Sequence, residues 1–234
     1  MSILCTICMR SGSKGLKNKN LRKINNKYLM QYTINQALKS RIFDHISVST
    51  DSPKIIWLAK KFGVHSTFLR SKNLSGDRIG KIKVIKDLVY KTEKKEKKFF
   101  KVVCDLDVTS PLRLISDIKE AYKKFKINKL DFLTSACNSR KNPYFNIVIR
   151  SKKSFYNASK NNKIYFSRQT APKTFDLNAS IYFWKRDSLL KDKIQSKDLF
   201  IMPAERSIDI DDHLDFEIVS YLIKKNNNYK KLFI

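Results

Sequence analysis

Apolar residues in this chain gather into short unbroken runs, and between the runs they recur every three or four positions within otherwise polar stretches. The first run, Ile3 to Cys8, predicts a buried strand that ends where a basic, glycine-containing loop begins. Tyr28 to Ser40 sets Leu29, Tyr32, Thr33, Gln36 and Ala37 at helical spacing, and His45 to Thr50 predicts the next strand. Ser52 and Pro53 mark a helix start, the helix runs through Phe62, and Gly63 ends it. Val64 to Leu69 predicts a strand and Arg70 to Gly80 a polar loop. A long helix follows from about Ile79 to Lys98, with Ile82, Ile85, Leu88 and Val89 on one face. Lys101 to Leu106 is a further strand, Thr109-Ser110-Pro111 breaks the chain, Leu114 to Phe125 is helical and Phe132 to Cys137 is a strand. Strand and helix in alternation predict an α/β fold, a doubly wound parallel sheet whose ligand sits at the carboxyl ends of the strands.

The rhythm changes after Asn138. Tyr144 to Ile149 alternates like a strand, Lys160 to Lys163 is a polar turn and Arg168 to Lys173 is irregular, so residues 138–175 predict hairpins outside the main sheet. Asn178 to Trp184 returns to the core, Phe200 to Pro203 is a short edge strand and His213 to Lys224 a helix, while Asn226 to Lys231 is polar enough to fray. With 234 residues and 42% hydrophobic content, the chain can bury a real core as one α/β domain, 1–234.

No apolar run approaches the ~18 residues that span a bilayer, and the N-terminal residues lack the order of a secretory signal, which reads as cytoplasmic. Four cysteines in a chain this long are too few for a disulfide scaffold. Cys5 and Cys8 form a C-x-x-C, but on a strand residues three apart point to opposite faces, which favours packing over redox chemistry. The net charge of +28 would by itself suggest nucleic acid as partner. The lysines are spread along nearly every segment, however, and the aromatics fall in predicted core positions, so no nucleic-acid partner is expected. The densest basic run, Lys91 to Lys101, reads as a solvated helix end with interleaved glutamates.

Chemistry concentrates in Arg10 to Arg22, R-S-G-S-K-G-L-K-N-K-N-L-R. Gly12 and Gly15 permit backbone conformations that turn amide N–H groups toward an anion, and Lys14, Lys17, Lys19 and Arg22 supply charge, so the loop is built to hold phosphates. A solvated basic loop fits the same composition. Neither a Walker loop nor a dinucleotide fingerprint is present. Near the other end, Asp209 and Asp211 are predicted to project from one face of an extended segment, a pair suited either to Mg²⁺ or to solvent.

The Arg10–Arg22 stretch resembles the R-x-x-S-K-G-x-x-x-K-N-L-R signature of the N-acylneuraminate cytidylyltransferases, the CMP-sialic acid synthetases, including those for legionaminic and pseudaminic acids. The resemblance returns at Val48 to Asp51, Thr109 to Arg113, Ser135-Ala136-Cys137, Asn178 to Tyr182 and Ser207 to Asp211, so it covers the chain in order. It implies a three-layer Rossmann-like nucleotide-diphospho-sugar transferase fold with a mainly parallel sheet, and identifies 138–175 as a protruding dimerisation arm. It also implies transfer of CMP from CTP to the anomeric hydroxyl of a nine-carbon 2-keto sugar acid, with Mg²⁺, in a homodimer. A synthetase for the eight-carbon acid Kdo is the nearest alternative.

By that resemblance Arg10 and Lys19 contact the triphosphate and, with Asp211, carry catalysis. Ser11, Gly12, Ser13, Lys14, Gly15, Asn20, Arg70 and Asp77 complete the nucleotide site, and Asp209 with Asp211 holds the metal. The sugar falls to Asp107, Thr109, Ser110, Arg168, Gln169, Asn178 and Tyr182, with Arg168 on its carboxylate. Arg113 fixes a loop or touches sugar, and Asp212 and Asp215 are helix-terminal charges. One departure stands out. Where sialic acid enzymes show Gln-Pro before Thr-Ser-Pro, this chain has Asp107-Val108, a change that alters sugar recognition or adds a ligand to the magnesium site.

Overall fold

The computed structural model of the chain describes residues 2–13, 15–76, 78–144, 146–152, 154–159, 165, 169–192 and 197–233. Its centre is a seven-stranded sheet whose strands are β1 (Ile3–Cys8), β4 (His45–Thr50), β5 (Ser66–Leu69), β6 (Val102–Leu106), β7 (Phe132–Asn138), β10 (Phe175–Lys185) and β11 (Leu199–Ile201). The order is β11-β7-β10-β6-β1-β4-β5. Neighbours pair in parallel except β10, which runs antiparallel between β6 and β7. Two short ribbons lie apart from this sheet, β2 (Lys23–Ile24) with β3 (Lys27–Tyr28), and β8 (Val148–Arg150) with β9 (Phe155–Asn157).

Helices cover both faces. Alternate residues of β1 divide between two apolar clusters, as the two-residue period of a strand requires. Ile3, Cys5 and Ile7 pack in one core with residues of α1 (Leu29–Ser40), α2 (Pro53–Lys61) and α4 (Ile115–Ile127). Leu4 and Cys8 pack in the other with α3 (Lys81–Glu96) and α5 (Arg186–Leu190). Cys5 and Cys8 thus face opposite ways. Burial, with the negative charge of Asp105 next, raises both thiols well above the ordinary cysteine range, which leaves them protonated and unreactive. Ser52 caps α2, its side chain accepting from Ile55 N–H, and Gly63 sits at φ +88° just beyond that helix.

Three expectations need correction. The strand over Tyr144 to Ile149 shrinks to β8, because Asn142 Oδ1 accepts from Tyr144 N–H and Asn142 C=O from Asn146 N–H, holding the preceding residues in a turn. The basic run at the end of α3 is not wholly solvated: Glu93 is buried and takes two hydrogen bonds from the Arg186 guanidinium. The stretch Asn226 to Lys231 does not fray. It forms α7 (Asn227–Lys230), capped by Asn226, with Tyr229 buried and its hydroxyl donating to Leu112 C=O. Lys160 to Lys163 lies outside the described residues.

Among the described residues no helix is long and apolar enough to cross a membrane.

Candidate active site

Three loops meet beyond the carboxyl ends of β1, β4 and β6. The first is the basic loop after β1. Ser11 donates to the Asp51 carboxylate from both its N–H (2.7 Å) and its hydroxyl (2.9 Å), which ties the loop to the end of β4. Asn20 donates its side-chain amide to Arg10 C=O at 2.8 Å, closing the loop on itself. Arg70 is buried under it and donates to Ser49 Oγ, Ser49 C=O and Met9 C=O, so it braces the strand ends from below. Arg22 donates to Lys17 C=O. Gly12 and Ser13 line the turn; Lys14 and Asp77 lie outside the described residues.

The second loop is Asp107 to Arg113. Ile210 N–H donates to Thr109 C=O at 2.9 Å, which joins it to the third, Ser207 to Asp212. The third loop meets the first at two points. Lys19 is 9% exposed, and its ammonium donates to Ile210 C=O and lies 3.4 Å from Asp211 Oδ1. Gly15 lies against the same backbone: a Cβ there would sit 2.2 Å from Asp211 O and 3.2 Å from Asp211 C. The glycine therefore serves close approach, and the left-handed residue of the loop is Asn18 at φ 55°. Gly12 has open space around it, so no such constraint acts there. Gly15→Ala is accordingly expected to wedge the two loops apart, lowering kcat/KM for CTP at least about tenfold. Thermal unfolding of the variant would show the fold retained, and unchanged kinetics would rule the wedge out.

Asp212 caps α6 (His213–Lys225) by accepting from Asp215 N–H, while the Asp215 carboxylate accepts from Asp211 N–H and Asp212 N–H. The two acidic side chains expected to share one face differ in exposure. Asp211 is 82% exposed at its side chain, whereas Asp209 is turned inward, and its Oδ1 is buried with no hydrogen-bond partner among the described residues. Burial, then the negative charge of Asp107, pushes the Asp209 carboxyl above the usual carboxylate range, although a hydrogen bond from Thr109 and the nearby Lys19 act against it.

The sugar-side residues divide. Ser110 is fully buried and donates to Asn178 C=O, so its place is beneath the cleft. Asn178 is likewise committed: it accepts from Ser135 Oγ at 2.6 Å and donates to Ser207 Oγ at 2.8 Å. Arg113 is fully buried and fixes the loop, which excludes sugar contact. Gln169 is exposed, and Arg168 lies outside the described residues. Tyr182 stacks on Phe132 and Trp184.

Asp107 accepts from Thr109 N–H and Thr109 Oγ1 through Oδ1, and from Lys81 Nζ at 2.7 Å through Oδ2. Burial opposes its charge, but the Lys81 ammonium and these hydrogen bonds override it and bring the carboxyl down to about 2. Lys81, at the start of α3, is the residue that sequence reasoning missed. It also lies 2.8 Å from the fully buried Asp105, and its ammonium is over the Tyr182 ring at 4.8 Å. Burial works against its charge, but Asp105 and Asp107 outweigh it and raise it well above the ordinary lysine range.

Basic loop, carboxylates and strand ends thus meet at one edge of the sheet. The family described as Cytidylyltransferase matches residues 4–233, and the chain belongs to it. It is 44% identical to Post-translational flagellin modification protein B of Campylobacter coli over 99% of both chains. It is also 44% identical to CMP-N,N'-diacetyllegionaminic acid synthase of Campylobacter jejuni, again over 99% of both, and 32% identical to pseudaminic acid cytidylyltransferase of the same species over 97% of this chain and 98% of the other. A solved structure of CMP:2-keto-3-deoxy-manno-octonic acid synthetase complexed with CTP shares the fold at TM-score 0.69 and 16% identity, covering 96% of this chain and 99% of that one.

Proposed function

We propose that this cytidylyltransferase transfers CMP from CTP to the anomeric hydroxyl of a nine-carbon 2-keto sugar acid of the legionaminic, pseudaminic or sialic type. The hydroxyl oxygen attacks the α-phosphorus and gives up its proton to solvent, the bond from the α-phosphorus to the oxygen bridging to the β-phosphate breaks, and pyrophosphate leaves. The observation that supports the reading is the meeting of the Gly15–Lys19 turn with Ile210 and Asp211, which sets an ammonium beside a carboxylate next to the basic loop. Support for the sugar comes from the relatives named for legionaminic and pseudaminic acids. In this reading Arg10, Ser13 and the loop amides hold the triphosphate, and Lys19 stabilises the charge that grows on the leaving pyrophosphate.

Among the described residues no three His, Cys, Asp or Glu side chains form a metal-holding group. Mg²⁺ takes one or two carboxylates and completes its shell with phosphates and water. Asp209, with its unpartnered buried oxygen, and the exposed Asp211 fit that role. Bound there with the triphosphate, the ion would supply Lewis-acid polarisation of the phosphoryl oxygens. Asp107 fits it less well, because the Lys81 ammonium 2.7 Å from its Oδ2 would repel a cation there. Asp209→Asn should raise the Mg²⁺ concentration for half-maximal rate at least about tenfold, since one hard anionic ligand is lost; a wild-type metal titration curve would remove Asp209 from the site.

A second copy of the chain is proposed to cover the ribbon of β8 and β9, where Val148, Phe155 and Tyr156 are exposed. The deciding experiment incubates the protein with CTP, Mg²⁺ and a panel of keto-acid sugars of eight and nine carbons, and identifies products by mass. A CMP adduct of a nine-carbon acid is expected. Turnover of the eight-carbon acid alone would replace this reading, and no adduct with any sugar would end it.

A further inference from the structure

The Lys81 ammonium donates to Asp107 Oδ2 at 2.7 Å, forms an ion pair with Asp105 Oδ2 at 2.8 Å and lies 4.8 Å from the centroid of the Tyr182 ring. A lysine held this way is not a free hand for phosphate. Its anchorage instead fixes what it touches. Asp105 is sealed from solvent and its other oxygen accepts from Thr6 Oγ1 at 2.8 Å, so it belongs to the floor. Asp107 keeps 20% of its side chain exposed. A carboxylate offers about four acceptor positions. Thr109 uses two on Oδ1 and Lys81 one on Oδ2, which leaves capacity for one more donor on the exposed edge.

This arrangement turns the amide-to-carboxylate departure at position 107 into a paired change. An unpaired carboxylate beside Asp209 and Asp211 would repel an acidic substrate. Paired with Lys81, which it shares with Asp105, Asp107 presents an oriented acceptor whose charge is offset in part. We propose that Lys81 is a positioning residue for the acceptor sugar: it clamps Asp107, and Asp107 accepts a hydrogen bond from a hydroxyl or amide N–H of that sugar. The inference rests on the reading of the chain as a sugar-acid cytidylyltransferase, and it adds the pair that reads the sugar.

The test is steady-state kinetics of wild type, Asp107→Asn, Lys81→Arg and Lys81→Met, with CTP varied at saturating sugar and sugar varied at saturating CTP. The sugar used is whichever nine-carbon keto-acid wild type converts. Asp107→Asn is expected to raise the KM for sugar about tenfold or more while the KM for CTP stays within about twofold, the scale for losing one hydrogen bond to a charged group. Lys81→Met should do the same, and Lys81→Arg, which keeps the charge, should recover most of the loss. Lys81→Met leaves Asp105 buried without its partner, so thermal unfolding accompanies it. If that variant does not fold, Asp107→Asn, which preserves the Lys81–Asp105 pair, decides alone. A sugar KM unchanged in Asp107→Asn, or a rise in the CTP KM instead, overturns the inference and leaves the cytidylyltransferase reading standing. A wild type that converts none of the sugars overturns the reading itself, and this inference with it.

Discussion

Replacing Lys19 with alanine is expected to lower kcat by about 10²-fold or more, the scale for removing one preorganised charge-stabilising donor from a water-poor site. Lys19 is almost buried between the phosphate loop and the Ile210–Asp211 backbone. On the proposed reading its loss removes the charge opposite the departing pyrophosphate, and it removes the bond that holds the two loops in register. Lys19→Arg separates these effects, since a longer cation keeps the charge but not the fit. Pyrophosphate release with CTP and sugar is the readout, and the KM for CTP should move less than kcat. A wild-type kcat in the alanine variant would take Lys19 out of the chemistry.

The largest stability effect is expected at Arg113. Its guanidinium is sealed from solvent and donates to Ser180 C=O at 2.5 Å, Ser180 Oγ at 3.0 Å, Thr33 Oγ1 at 3.1 Å and Asp107 C=O at 3.0 Å. It therefore ties α1, the loop after β6 and β10 together. Arg113→Met keeps much of the volume but orphans these acceptors. At about 1 kcal/mol or more for each buried group left unsatisfied, the total is on the order of 3 kcal/mol. A denaturation midpoint lowered at constant slope would record it. A change below about 1 kcal/mol would mean that the network re-forms without the cation.

The elements legible in the sequence were those whose signal is local. Ile3–Cys8 and His45–Thr50 are continuous runs flanked by turn residues or charge, and both strands end where the pattern says. Ser52 and Asp212 cap their helices through short-range hydrogen bonds that depend on near neighbours alone. The basic loop and the acidic segment were readable as partners through the family resemblance, although their contact spans most of the chain. Lys81 was not, because a lysine at the start of an amphipathic helix looks like any of the 49 basic residues until β6 brings two aspartates under it. Ser110 and Asn178 carry the polar character of a binding site, but their partners, Ser135 and Ser207 among them, come from strands and loops far off in sequence. The direction of β10 also escaped, since the pattern of a buried strand does not say which way it runs.

Lys19 and its acceptors stand 191 and 192 positions apart. A ribosome adding about 5–20 residues per second needs roughly 10–40 s to cover that interval. The last strand among the described residues ends at Ile201, shortly before Ile210, so the sheet and the contact to Lys19 are completed almost together. A fragment stopping just short of Ile210 would lack Ile210, Val219, Ile223, Tyr229 and Leu232 of the main core as well as the groups that hold Lys19, so core and loop contact close together.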